Sequence, residues 1–139
     1  MAAVARLFRE SFRATYPSFP ELHTPEEDLA FFENVVFQRA SIHLAEESGS
    51  RRLLGFIAFR PEFIDHLYVA PEAQGKGIGS RLLEIALANA SRVQLWTFQE
   101  NARARAFYRK HGFVEIRATE GAENEEKRPD VLMEWADEA

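Results

Sequence analysis

The segment Gln74-Gly75-Lys76-Gly77-Ile78-Gly79-Ser80 sets three glycines at alternate positions between an apolar β-like run ending at Val69 and a stripe with helical spacing. Glycine adopts backbone angles closed to other residues and carries no Cβ, so such a loop lets main-chain amides close on a ligand. The stripe is Leu82, Leu83, Ala86, Leu87 and Ala90, which predicts a helix over residues 80–90. A helix N-terminus adds unpaired N–H groups and the positive end of a dipole, and Lys76 and Arg81 add full charges beside it. The chemistry expected of this strand, loop and helix is the binding of a phosphate or pyrophosphate.

Spacing separates three uses of such a loop. A P-loop closes on Gly-Lys-Ser/Thr, whereas Gly79-Ser80-Arg81 stands here. The dinucleotide fingerprint G-x-G-x-x-G matches at Gly75 and Gly77, and Glu100 falls where a ribose-binding acid would sit, but the third glycine would fall on Ser80. Residues 70–73 also separate the strand from the glycines, and a chain of 139 residues leaves room for one such βαβ unit. The third use is a family resemblance. Gln74 to Gly79 resembles the Q/R-x-x-G-x-G/A acetyl-coenzyme A signature of GNAT-type N-acetyltransferases. Asn101-Ala102-Arg103-Ala104-Arg105-Ala106-Phe107-Tyr108, followed by Gly112-Phe113, resembles the N-x-x-A-x-x-F-Y-x-x-x-G-F block that follows in that superfamily.

The resemblance implies transfer of an acetyl group from acetyl-coenzyme A to a primary amine, by direct attack in a ternary complex. It implies that Leu67, Tyr68 and Val69 run along the pantetheine arm, where a bulge exposing one N–H would polarise the acetyl carbonyl. It further implies that Gln74, Gly75, Lys76, Gly77, Ile78, Gly79 and Ser80 hold the pyrophosphate, and that Tyr108 lies near the sulfur and protonates the departing thiolate. Each residue has a plainer use as well. Leu67 and Val69 suit any core strand, Tyr108 any aromatic core, and Asn101 either caps the helix it heads or bonds the pantetheine amide. With no cysteine in the chain, an acyl-Cys intermediate is excluded. A non-catalytic acyl-coenzyme A binding or regulatory domain is the alternative that keeps the loop without turnover.

The base that takes the amine proton is open at this level. Strand alternation puts Phe63, Asp65 and Leu67 on one face and Ile64, His66 and Tyr68 on the other. Asp65 fits the substrate face that the resemblance implies, provided no bulge precedes it, and is the residue chosen. His66 has the intrinsic pKa nearer neutrality, and a water chain to solvent is the third option.

The elements that must position these groups alternate in an α+β order. Residues 1–16 form an amphipathic helix with Val4, Phe8, Ser11 and Phe12 on one side, and Thr24-Pro25-Glu26-Glu27 carries the cap of a second helix reaching about Phe37. Strands are expected at residues 42–46, 54–59, 62–69, 93–98, 113–118 and 131–135, with a helix over residues 102–111 ending at Gly112. The implied fold is GNAT-like: a central, mixed, mostly antiparallel sheet of about six strands flanked by helices, with the usual first strand missing. Residues 1–139 are expected to form a single domain.

Composition excludes several function classes. The net charge is −5, and residues 119–139 hold eight acidic residues against two basic ones, so no basic surface for nucleic acid is expected. That acidic end serves either as a solvated surface or to attract cationic amines. The polar segment from Asn124 to Asp130 is either a solvated turn or a rim of the acceptor pocket. No apolar run approaches membrane-spanning length, and the absence of cysteine suits a reducing cytoplasm. His23, His43 and His111 lack ligand spacing, so no metal is expected. The resemblance also implies a possible homodimer through the late strands.

Overall fold

A computed structural model describes residues 1–137. The first helix, α1 (Ala2–Thr15), leads through an aromatic loop to α2 (Pro25–Phe31). Thr24 and Glu27 form the expected capping box, each side chain bonding the other's backbone N–H, and Pro25 fills the first helical position, where its missing N–H costs nothing. A π-turn over Phe32–Val36 then leads into α3 (Phe37–Arg39) and turns Phe32 fully inward. The hairpin β1 (Ser41–Glu46) and β2 (Leu53–Arg60) follows, with β3 (Phe63–Val69) antiparallel to β2. A 3-10 turn (Pro71–Ala73) precedes α4 (Ile78–Leu87), β4 (Arg92–Phe98), α5 (Ala102–Lys110), β5 (Val114–Thr119) and β6 (Asp130–Ala136).

The six strands form one sheet in the order β1-β2-β3-β4-β6-β5. This is the mixed, mostly antiparallel α+β architecture expected, and no strand precedes α1 among the described residues. Strand β6 lies between β4 and β5, pairing with β4 along its whole length from Arg92↔Ala136 to Phe98↔Asp130. The β3–β4 contact is different. It is parallel and has a single registered pair, Phe63↔Gln94, with the Gln94 N–H donating to the Glu62 carbonyl at 2.9 Å.

Each face of the sheet has its own apolar core. Under α4 and α5 lie Ile57, Ile64, Leu82, Leu83, Val93, Leu95, Phe113 and Met133. Under α1 and α2 lie Val4, Leu7, Phe32, Val36, Phe56 and Ala58.

Two sequence expectations are corrected here. In β3, Phe59 pairs with Ile64 while the adjacent Ala58 pairs with His66, so Asp65 is the extra residue of a β-bulge. Ile64 and Leu67 therefore share the α4 face, while His66 and Tyr68 pack with Phe8 of α1. Strict alternation, which joined Asp65 to Leu67 and Ile64 to His66, fails at that one residue. The helix after the glycine loop begins at Ile78 rather than Ser80 and ends at Leu87 rather than Ala90, because Gly77, at φ 82°, turns the chain directly into it.

Phe113 is 1% exposed and its ring meets that of Tyr108 at 5.4 Å, so it locks α5 onto the sheet. Phe113→Ala is expected to lower the unfolding free energy by about 3–5 kcal/mol in urea titration; an unchanged midpoint would refute this packing role.

Candidate active site

Beyond Phe63, β3 and β4 part, and a cleft of about 870 Å³ opens between them. Residues 64–69 of β3 and 95–98 of β4 form its sides, and the end of α1, the glycine loop, the start of α4 and one side of α5 close it. Asp65, Leu67, Tyr68, Val69, Gln74, Gly75, Gly77, Ile78, Gly79, Ser80, Asn101 and Tyr108 all line this one cleft, whereas Lys76 stands outside its wall. Residues from β3, the glycine loop, α4 and α5 with its cap, spread over positions 65–108, thus meet in one place.

The loop has the geometry of an anion cradle. Gly75 and Gly77 both take left-handed angles, φ 81° and 82°, which a side chain would strain. Gly77 caps α4, accepting from the Arg81 N–H at 3.1 Å. The first-turn amides of Ile78, Gly79 and Ser80 have no acceptor within a helix and stand at the cleft. The Gln74 side chain donates to the Val69 carbonyl at 3.2 Å and so ties the loop to the end of β3. Ser80 bonds the ring of His111 at 3.0 Å, which gives that histidine a partner at the start of α4.

Asn101 caps the helix it heads and also bonds a tyrosine at the end of α1. Its Oδ1 accepts from the Ala104 N–H at 3.0 Å, capping α5, and its Nδ2 donates to the Tyr16 hydroxyl at 2.7 Å. Tyr16 was missed in the sequence. It ends an i, i+4, i+8 row of rings, Phe8, Phe12 and Tyr16, with neighbouring centroids 5.8 and 4.9 Å apart, and that spacing was the available signal. Burial pushes its phenol above the ordinary value, against hydrogen bonds from Asn101 and Thr97.

Tyr108 packs its ring against Phe107 and Phe113. Its hydroxyl bonds no side chain, yet no buried side-chain polar atom lacks a partner among the described residues, so the hydroxyl opens into the cleft. Burial pushes this phenol well above its ordinary range, which keeps it protonated and able to donate.

His66 sits among the rings of Phe8, Phe31, Phe32 and Tyr68, at 5.2–6.1 Å. Loss of water lowers its pKa to about 4, against the opposing pull of the Asp65 carboxylate. The imidazole is therefore neutral near pH 7. Asp65 is itself engaged, because Arg60 donates to both of its oxygens, at 2.7 and 2.8 Å, while lying over the Phe63 ring. Among the described residues no three His, Cys, Asp or Glu side chains cluster as metal ligands would, and no helix is long and apolar enough to cross a membrane.

Comparison with known proteins agrees with this geometry. A family model described as an acetyltransferase (GNAT) domain matches residues 38–115. A probable N-acetyltransferase of Mycobacterium tuberculosis, Rv2775, is 38% identical over 82 residues, covering 52% of this chain and 46% of the relative. The match thus spans about half the length of that relative. An uncharacterized N-acetyltransferase of Bacillus subtilis, YhfO, is 32% identical over 130 residues, covering 82% of this chain and 83% of its own. Among solved structures, the PaiA N-acetyltransferase from Thermoplasma acidophilum in complex with coenzyme A superposes with a TM-score of 0.67 at 22% identity, covering 97% of this chain and 91% of that one.

The burial of His66 has a consequence for stability. In the unfolded chain it takes up a proton near pH 6.5, but in the folded protein only near pH 4, so its contribution is full above pH 6.5 and falls as pH drops toward 4. His66→Phe keeps an aromatic side chain in the box and is expected to remove part of the stability loss seen between pH 6.5 and 4 in urea titrations. Parallel pH profiles for parent and variant would contradict a neutral buried imidazole.

Proposed function

The chain belongs to the GNAT acetyltransferase family, and we propose that it is an enzyme moving the acetyl group of acetyl-coenzyme A to a primary amine by direct attack within a ternary complex. The observation that carries the reading is the gap between β3 and β4, with free first-turn amides of α4 at one end and the Tyr108 hydroxyl within it. The glycine loop and the start of α4 supply N–H groups and a positive dipole end for the pyrophosphate, with Lys76 adding charge from outside the wall. Of the three β3 residues, Leu67 and Val69 turn main-chain groups to the edge that β4 leaves unpaired, where they offer partners to the amides of the pantetheine arm, while the Tyr68 carbonyl faces β2.

In the transfer, the amine nitrogen bonds to the acetyl carbon and the carbon–sulfur bond breaks, with the electron pair leaving on sulfur. Tyr108 gives its phenolic proton to that sulfur. Its raised pKa makes the phenol a poor acid toward water but a suitable one toward a thiolate generated beside it in the same cleft. For the amine proton, the geometry favours His66 over Asp65. His66 is neutral and has a free lone pair, whereas both Asp65 oxygens already accept from Arg60. Asp65 then acts through its charge, which favours the imidazolium that forms on His66.

Two variants test the reading. Gly77→Glu introduces a side chain at a left-handed angle and a like charge beside the phosphates, and is expected to abolish acetyl-coenzyme A binding in isothermal titration while the protein stays folded. Undiminished affinity would put the cofactor elsewhere. Tyr108→Phe removes one hydroxyl and is expected to cut turnover by roughly 10² with cofactor affinity unchanged. Full turnover would remove Tyr108 from the chemistry and leave solvent as the proton source.

A further inference from the structure

A second cavity, of about 480 Å³, lies on the other side of α1's last turn from the cleft. Phe12, Ala14 and Tyr16 line both spaces, so they form the partition between them. The remaining wall is aromatic at Phe8 and Phe19 and charged at its rim.

The rim charges are almost all matched. Glu21 is held by Arg9 and Arg13 at 3.1 and 3.0 Å, Asp28 by Arg9 at 3.0 Å, and Glu125 by His23 at 2.8 Å. Glu126 is the exception: it is half-buried and no cation of the described residues lies within salt-bridge distance of it. The cations next to it in sequence are committed elsewhere. Lys127 donates to the Ala122 carbonyl at 2.7 Å, and Arg128 lies over the Phe19 ring at 4.5 Å with Glu100 at 3.7 Å.

The loop that carries Glu126 is also stiff. Asn124 donates to the Arg128 carbonyl and to Asp130 at 2.7 and 3.1 Å and accepts from the Arg128 N–H at 3.2 Å, so the turn is cross-braced. Glu126 lines the second cavity together with Tyr16, whose ring also faces the cleft. A half-buried, positioned carboxylate without a counter-ion, over a floor of aromatic faces, suits an ammonium group on an aliphatic stem.

We propose that this cavity receives the far end of the acceptor and that Glu126 selects amines bearing a second positive charge. The inference rests on the acetyl-transfer reading, since it names the acceptor class for the same site. The reacting amine lies in the β3–β4 gap, and the second ammonium passes the Phe12–Tyr16 partition to reach Glu126.

The test pairs 1,5-diaminopentane with pentylamine, which match in stem length and differ in the second charge. In the parent protein with coenzyme A bound, calorimetric titration is expected to show the diamine binding about tenfold more tightly than the monoamine, the yield of one partly buried ion pair, and Glu126→Gln is expected to erase that preference. Coenzyme release from acetyl-coenzyme A, followed with the same amines, is expected to show the same ratio in kcat/KM and the same loss in the variant. A diamine preference that survives Glu126→Gln, or no preference in the parent, overturns the inference even if both amines are acetylated. Glu126-dependent diamine binding without acetylation would support the cavity assignment while refuting acetyl transfer to these amines.

Discussion

One backbone pair, Phe63 with Gln94, joins β3 to β4, and the cleft depends on its being the only registered pair between them. A sheet normally satisfies every buried N–H and C=O by pairing neighbouring strands throughout. Here β4 makes a full ladder with β6 on its other edge and β3 a bulged one with β2, so the two edges that face the gap are the ones left without a strand partner beyond Phe63. The two apolar cores hold the arrangement from above and below. Ile64, Leu95 and Leu83 belong to the core under α4 and α5, while Phe56 and Phe32 belong to the one under α1 and α2. The unpaired edge of β3 is a stored hydrogen-bonding surface, and a ligand with amides along its length is the natural partner for it.

Protonation follows from the burial of individual side chains around the cleft. Tyr108 and Tyr68, both pushed well above the usual phenol range, remain hydroxyls, and His66 remains a neutral imidazole. An acid and a base held in these forms at the same pH, on different elements around one gap, suit a reaction that takes a proton at one end and gives one at the other. Asp65 shows the opposite case. Its carboxylate is drawn into the fork of Arg60, and the bulge at Asp65 sets where that pair sits relative to His66.

Much of this was legible in the residues. The glycine loop, the Asn101 to Phe113 block and the capping box at Thr24 are local patterns, set by φ angles, dipole ends and short-range hydrogen bonds, and they stand where the spacing put them, while the helix after the loop is present but shifted to Ile78–Leu87. What strand periodicity could not supply was the bulge, because a single extra residue leaves no trace in composition, and it inverts the faces on either side of Asp65. The placement of β6 between β4 and β5 and the joining of Tyr16 to Asn101 across 85 positions are long-range events of the same kind. Glu126 reads in the sequence as one more acid in a polar turn, and only the saturation of its neighbours sets it apart.

The central claim is that the acetyl donor lies in the β3–β4 gap against the start of α4. Amide hydrogen exchange with and without acetyl-coenzyme A tests it most directly, since it reads backbone N–H groups where the contact is supposed to be made. The account predicts slowed exchange at Leu67 and Val69 and across residues 75–80, with the β1–β2 hairpin unaffected. Protection confined to other elements, or none at saturating donor, would contradict it.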